Sequence, residues 1–272
     1  MNRTPPSPQR AASLRREVAR SVDAPASLLP VFNLLFKDMP SLGSSPRIVV
    51  NMLQRAGIGP RASILDLACG KGAIAISAAR RLRCSVVAVD ACEAFIHEAV
   101  ASATRANLAK RAAFIHDDAR AFASRADPNR RPFDAALMLG LWGIIEARRA
   151  LRPLVKPGGH YIIDDAFRDE RLTRRAPEFH QIPTRAESLA LLERDGDHVI
   201  EVDIPTPSRI RALNAGLYRR LAANASAIAR ARPSLRPALS TFLENQRHAN
   251  RLLGRELRPA IWVVKRAGFK KY

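Results

Sequence analysis

Ser63-Ile64-Leu65-Asp66-Leu67-Ala68-Cys69-Gly70-Lys71-Gly72-Ala73 is the stretch that decides how this chain folds. The apolar run from Ser63 to Ala68 predicts a strand buried on both faces, as the strands of a parallel sheet are. Gly70 and Gly72 supply a turn, and Ala73 to Ala79 have the composition of a helix. Strand, glycine turn and helix in succession offer main-chain N–H groups and a helix N-terminus to a nucleotide-like ligand. Glycine suits such a turn because a Cβ would hold the ligand away from the main chain.

Outward from that unit the pattern repeats. Cys84–Asp90 is a valine-rich strand ending on an acid, followed by a helix over about 93–108 with Phe95, Ile96, Ala99, Val100 and Ala103 at helical spacing. Ala112–His116 and Phe133–Gly140 read as the third and fourth strands. A helix over 143–155 ends at Lys156-Pro157-Gly158-Gly159, and His160–Ile163 is the fifth strand, ending on Asp164-Asp165. These βα repeats predict an α/β fold, a doubly wound Rossmann-like sheet of about seven mostly parallel strands covered on both faces.

Upstream, Leu28–Phe36 is apolar, and Ser45-Pro46 starts a helix that runs to about Ala56. Downstream, Thr184-Arg185-Ala186-Glu187 is a capping box, His198–Val202 a strand and Pro259–Lys265 a last strand. Between those two strands, Ser208–Leu257 shows no strand signal and reads as helix broken near Pro233 and Pro237. The expected organisation is a loosely ordered basic tail over 1–26 and one domain over 27–272. Within that domain a helical insertion at about 205–258 forms a lid over the ligand end of the sheet.

The chain has 45 Lys and Arg against 25 Asp and Glu, a formal net charge of +20. Most of the excess lies late: residues 205–272 hold 15 basic and 2 acidic side chains. Such a face attracts anions, whether nucleic acid, acidic lipid or an acidic small substrate, although Arg-rich solubilised helices give the same composition. No apolar run reaches the roughly 18 residues of a membrane span. Cys69, Cys84 and Cys92 lack CxxC spacing, so neither a disulfide framework nor a zinc site is expected, and a cytoplasmic setting fits. The tail lacks the apolar core of a secretion signal; it is basic and acid-poor, as transit peptides are.

Gly70-x-Gly72-x-x-Ala75, with Asp90 twenty residues after Gly70, would also suit a nicotinamide dinucleotide. Three further features point elsewhere. Asp66 lies inside the first strand, where a carboxylate can meet a ligand's ammonium group and where an unpaired one is costly. Asp117-Asp118-Ala119 follows the third strand, where an acid can accept from an exocyclic amine. Pro157-Gly158-Gly159 turns into the fifth strand.

On these residues the chain resembles the class I S-adenosylmethionine-dependent methyltransferases over about residues 45–165. Asp66-x-Ala68-x-Gly70-x-Gly72 stands for the family's D-x-G-x-G-x-G, with Ala68 in place of its first glycine. Asp90 stands for the acid closing the second strand, Asp118-Ala119 for the later acidic turn and Pro157-Gly158-Gly159 for its P-G-G. The resemblance implies S-adenosylmethionine as cofactor. Asp66 would face its amino group, the backbone at Ala68, Gly70 and Gly72 its methionine part, and Asp90 its ribose hydroxyls through charge-assisted hydrogen bonds. Asp118 would face the adenine amine, Ala91 and Ala119 the ring, and Leu139-Gly140 the sulfonium side.

The acceptor is less legible. The fourth strand runs into Leu139-Gly140-Leu141-Trp142 without Pro-Pro-Tyr, no Pro-Cys nucleophile occurs, and no acid ends that strand to build a metal cage with Asp164-Asp165. Those absences leave O-, N- or C-methylation of a small molecule, for which the positive charge suits an anionic acceptor. RNA recognised by the basic C-terminal quarter is the alternative, and a dinucleotide-dependent reductase stays a third. No catalytic residue is assigned; Asp165 and His180 are the candidate bases, Trp142 and Tyr218 candidate walls for an aromatic acceptor.

Overall fold

A computed structural model of the chain describes residues 14–16, 18–19, 21–125, 132–173, 176–253 and 255–268. Its main elements are α1 (Pro46–Arg55), β1 (Ser63–Leu67), α2 (Ala73–Arg81), β2 (Ser85–Asp90), α3 (Glu93–Arg105), β3 (Ala112–His116) and α4 (Ala119–Ser124). Then follow β4 (Phe133–Leu139), α5 (Ile144–Leu151), β5 (Val155–Arg168), α6 (Arg185–Leu192), β6 (His198–Asp203), α7 (Pro207–Ala231), α8 (Arg236–Leu252) and β7 (Leu257–Lys265).

The seven strands form one sheet in the order β3-β2-β1-β4-β5-β7-β6. β1 pairs in parallel with β2 on one side and β4 on the other, so Asp66 lies between Ala88 and Leu137. β7 runs antiparallel to both β5 and β6. The strand order reverses direction at β1 and β4, which opens a crevice at the carboxyl ends of the strands where open α/β sheets take ligands.

Strand alternation sends neighbouring residues to opposite faces. Ile64, Ala88, Leu137, Ile162 and Val263 pack against Val49, Met52 and Leu53 of α1 and Ala75, Ala78 and Ala79 of α2. Leu65, Val89, Met138, Ile163 and Trp262 pack against Ile144, Ala147 and Leu151 of α5 and Leu192 of α6. With both faces covered, strands this apolar are stable only in the middle of the molecule.

β5 is longer than the His160–Ile163 expected. The register shifts from Phe133↔Val155 to Ala135↔His160, so Pro157-Gly158-Gly159 forms an irregular step inside the strand. At the other end β7 supplies backbone partners as far as Arg168↔Leu257. Phe167 lies edge-on to Trp262 with ring centroids 6.1 Å apart, which gives that extension an apolar anchor.

A third core lies outside the two sheet layers. Leu28, Val31, Phe32, Leu35 and Phe36 pack on Phe95 and on Leu221, Ala225, Ile228 and Phe242 of α7 and α8. α7 ends at Ala231, a 3-10 turn spans Pro233–Leu235, and α8 takes Pro237 in its first turn, where a missing N–H costs nothing. The expected loosely ordered tail of residues 1–26 differs in its second half. Val18, Val22 and Ala24 pack on this third core, and the side chains of Gln246 and Asn245 donate to the carbonyls of Val22 and Asp23. Residues 1–13, 17 and 20 of that segment lie outside the described residues.

Candidate functional site

A cavity of about 520 Å³ opens at the carboxyl ends of β1, β2, β4 and β5. Nine of the ten residues singled out from the sequence line it: Asp66, Ala68, Gly70, Asp90, Ala91, Asp118, Ala119, Leu139 and Gly140. The tenth, Gly72, does not. A Cβ on Gly72 would lie 2.5 Å from Phe114 Cε1 and 3.0 Å from Ala99 Cβ, so this glycine lets α2 seat against β3 and α3.

Asp90 holds the turn in shape. Its Oδ2 accepts from the Gly70 N–H at 2.7 Å and its Oδ1 from the Cys92 N–H at 2.8 Å. Burial raises the Asp90 pKa, and these two backbone bonds oppose the rise. Asp66 has no such support. It is 2% exposed, and its Oδ2 has no hydrogen-bond partner among the described residues. Burial first, and the nearby Asp90 carboxylate second, push its pKa up to about 7. A buried carboxylate left this way costs free energy that a cation from outside would recover.

Asp118 has a structural duty as well. Its side chain accepts from the Ala121 N–H at 2.7 Å and caps α4. Ala68 adopts φ +59, in the left-handed region that glycine occupies most readily. The departure from the glycine pattern is therefore felt in the backbone more than in the volume of a methyl group.

The roof is not the insertion expected to form it. Among the described residues, none of 205–258 lines the cavity; those above it are Leu14, Val18, Ser21 and Val22 and the loop from Pro40 to Ser44. The helical insertion braces that N-terminal layer through the third core instead of touching the ligand space. Lys71, at the unnamed position between the two glycines, fastens the arrangement. Its buried ammonium donates to the Phe36 carbonyl at 2.8 Å and pairs with Glu98 at 2.7 Å.

The acids ending β5 divide by strand parity. Asp164 shares a face with Ile162, lines the cavity and accepts from the Ser44 hydroxyl. Burial pushes its pKa up to about 6; the Ser44 bond lowers it, and Asp165 and Asp203 raise it. Asp165 shares a face with Ile163, toward α5, where it accepts from the Ile144 and Ala166 N–H groups, both at 2.8 Å. Neither Asp165 nor the exposed His180 lines the cavity, so the two candidate bases are not placed for that role. Trp142 does line it, with the Arg120 guanidinium 4.6 Å from its ring centroid. Tyr218 instead pairs with Arg247 outside, and Phe242 is fully buried, so the aromatics of the insertion present no stacking platform. Among the described residues no group of His, Cys, Asp and Glu is arranged to hold a metal, and no helix is long and apolar enough to cross a membrane.

Sheet order and glycine turn together define the class of fold: it is the Rossmann-like fold that solved S-adenosylmethionine-dependent methyltransferases share. Residues 64–159 match the family model described as "Methyltransferase domain". A S-adenosylmethionine-dependent methyltransferase of Geobacter sulfurreducens, solved with S-adenosyl-L-homocysteine, superposes at a TM-score of 0.70 with 20% identity, covering 87% of this chain and 98% of the other. The [4+2]-cyclase SpnF superposes at 0.68 with 19% identity, covering 94% and 96%. Coclaurine N-methyltransferase, bound to N-methylheliamine and S-adenosyl-L-homocysteine, superposes at 0.63 with 15% identity, covering 97% and 89%. No curated protein matches the sequence.

Proposed function

We propose that this chain binds S-adenosylmethionine in the cavity and transfers its methyl group to a small molecule held beside it. The observation that carries the reading is the orphaned Oδ2 of Asp66, buried at the end of β1 beside the Asp90-anchored glycine turn. The residues present fit the cofactor. Asp66 would take its ammonium group, and Asp90, with both oxygens already oriented by backbone N–H groups, its ribose hydroxyls. The main chain at Ala68 and Gly70 leaves room beside the turn, and Asp118, Ala91 and Ala119 would surround the adenine. When bound, the cofactor supplies an electrophilic methyl group on a sulfonium.

What the chain contributes is positioning and exclusion of water. Leu139 and Gly140 end β4 beside the space for an acceptor, Trp142 walls it, and the N-terminal layer covers it. Holding two reactants in line can supply several kcal/mol of a displacement barrier. A cavity of this size lies within the range of about 300–1,000 Å³ typical of small-molecule sites. Because one fold hosts several chemistries, binding and transfer are tested separately. Calorimetry with S-adenosylhomocysteine should show binding that Asp90→Asn weakens at least tenfold. Labelled methyl should pass from S-adenosylmethionine into a small-metabolite fraction; label confined to RNA would replace the acceptor class, and no binding would sink the reading.

A further inference from the structure

The protein is strongly basic, yet the wall of its cavity is acidic. Among the described residues, five carboxylates line it (Asp66, Asp90, Asp118, Glu146 and Asp164) against two cations, Lys71 and Arg120. Lys71 is spent on Phe36 and Glu98, while Arg120 pairs at the half-exposed rim with Glu146. The eleven arginines of residues 205–258 contribute nothing to this wall. The net charge that suggested an anionic acceptor therefore lies elsewhere, and an anion entering here would face more carboxylates than cations.

Three of the five acids have partners in the reading above, and Glu146 belongs to the rim. Asp164 is left. It stands at the end of β5 next to Leu139, its register partner in β4, on the side that the reading above gives to the acceptor. Its described side-chain partner is the neutral hydroxyl of Ser44, delivered by the roof loop, and no cation pairs with it among the described residues. The unpartnered, almost wholly buried Oδ2 of Asp66 in the same cavity is met by the cofactor's ammonium in the reading above, which leaves Asp164 as the inner acid with no cationic partner.

We infer that the methyl acceptor is an amine, and that Asp164, steadied by Ser44, is the carboxylate that binds its nitrogen. The bound ammonium gives one proton to Asp164, and the freed lone pair forms the N–C bond as the methyl–sulfur bond breaks and S-adenosylhomocysteine leaves. This rests on the methyltransferase reading. A carboxylate that is already oriented accepts a charge-assisted N–H bond at little cost, whereas a carboxylate or phosphate acceptor would have to be desolvated against Asp164. An alcohol could donate to Asp164 but lacks the charge, so it should rank between the two.

Three probes with one ring and similar length test the idea: 2-phenylethylamine, 2-phenylethanol and phenylacetate, titrated calorimetrically into the protein saturated with S-adenosylhomocysteine. The amine should bind at least tenfold tighter than the carboxylate. Asp164→Asn should cut that preference to under twofold while leaving S-adenosylhomocysteine affinity within twofold, and Ser44→Ala, which frees Asp164 from the bond that steadies it, should narrow the preference without abolishing it. Equal or tighter binding of phenylacetate, or absent amine binding, overturns the inference. So does an Asp164→Asn variant that keeps the preference, or one that weakens S-adenosylmethionine but not the amine, which would assign Asp164 to the sulfonium. If Asp164→Asn fails to fold, the ranking on the wild-type protein decides alone. Failure of S-adenosylhomocysteine itself to bind would be the failure of the parent reading and is seen first.

Discussion

Lys71 Nζ donates to the main-chain carbonyl of Phe36 at 2.8 Å, joining the cofactor-type turn to the layer that roofs it. The ammonium is almost fully buried, its charge is met by Glu98 at 2.7 Å, and it lies 5.7 Å from the centroid of the Phe95 ring. The turn and the roof are therefore one mechanical unit. Lys71→Met keeps the aliphatic packing and removes both polar bonds, leaving the Phe36 carbonyl without this donor. Loss of such a bond costs about 1–3 kcal/mol, a fall of a few degrees in Tm for each kcal/mol in a domain of this size. Thermal unfolding should show it. S-adenosylhomocysteine affinity should fall about tenfold, because the turn loses its tie to the roof.

Gly70 and Gly72 should separate binding from folding. A Cβ on Gly72 would strike Phe114 and Ala99 at a φ of +73, so Gly72→Ala is expected to lose about 2–3 kcal/mol or more in urea unfolding. A Cβ on Gly70 would meet only Leu42 Cδ1, at an ordinary 3.5 Å. Gly70→Ala should cost about 1 kcal/mol for its φ of +54, and it should lose binding by a larger factor because the methyl intrudes on the cavity. If Gly72→Ala left the midpoint unchanged, the packing role assigned to it would be wrong.

How far the sequence reached follows from what periodicity can carry. Strands, their order of appearance and the two-faced burial come from apolar runs and glycine turns, and these were readable from Ser63 to Lys265. Asp66, Asp90 and Asp118 can be singled out because an acid inside or closing an apolar strand stands out, and all three line the cavity. The choice between Asp164 and Asp165 cannot be made that way, since it depends on which strand face turns to the cavity: Ile162 parity sends Asp164 inward, and Ile163 parity sends Asp165 to the start of α5. The part played by the insertion is illegible for a different reason: nothing local in Leu221 or Phe242 says that they pack on Leu28–Phe36 and not over the cavity, so the insertion supports the roof without forming it.

Asp66 makes stability and ligand binding depend on pH. Its folded pKa of about 7 lies above the ordinary 3.8, so the folded state favours the protonated acid. The stabilising contribution is complete below pH about 4 and is lost as pH rises through about 7, to an extent on the order of 4 kcal/mol. The ligand-free protein should therefore melt lower at pH 8 than at pH 5, and Asp66→Asn should flatten that slope. Asp164 slopes the same way, with its pKa near 6, so the comparison is between variant and wild type rather than against zero. Saturation with S-adenosylhomocysteine should flatten it too, because the ligand's ammonium favours ionised Asp66. Between pH 5.5 and 7, binding should tighten with rising pH and release protons, measurable as a dependence of calorimetric heat on buffer ionisation enthalpy. An unchanged slope in Asp66→Asn would remove Asp66 as the cause.

Ala68 is a cavity-lining position where glycine is expected to help. An L-residue in the left-handed region costs roughly 1–2 kcal/mol, and Ala68 sits there at φ +59. Glycine relieves that strain but gives the unfolded chain more freedom, a penalty of about 0.5–1 kcal/mol. The balance favours Ala68→Gly by up to about 1 kcal/mol, read as a higher urea midpoint with an unchanged slope. Affinity for S-adenosylhomocysteine should stay within twofold, since the turn's shape is set from the other side by Asp90 bonding the Gly70 and Cys92 N–H groups. A lower midpoint would mean that the alanine methyl earns more in its contacts beside Leu65 and Leu67 than the backbone loses by its strain.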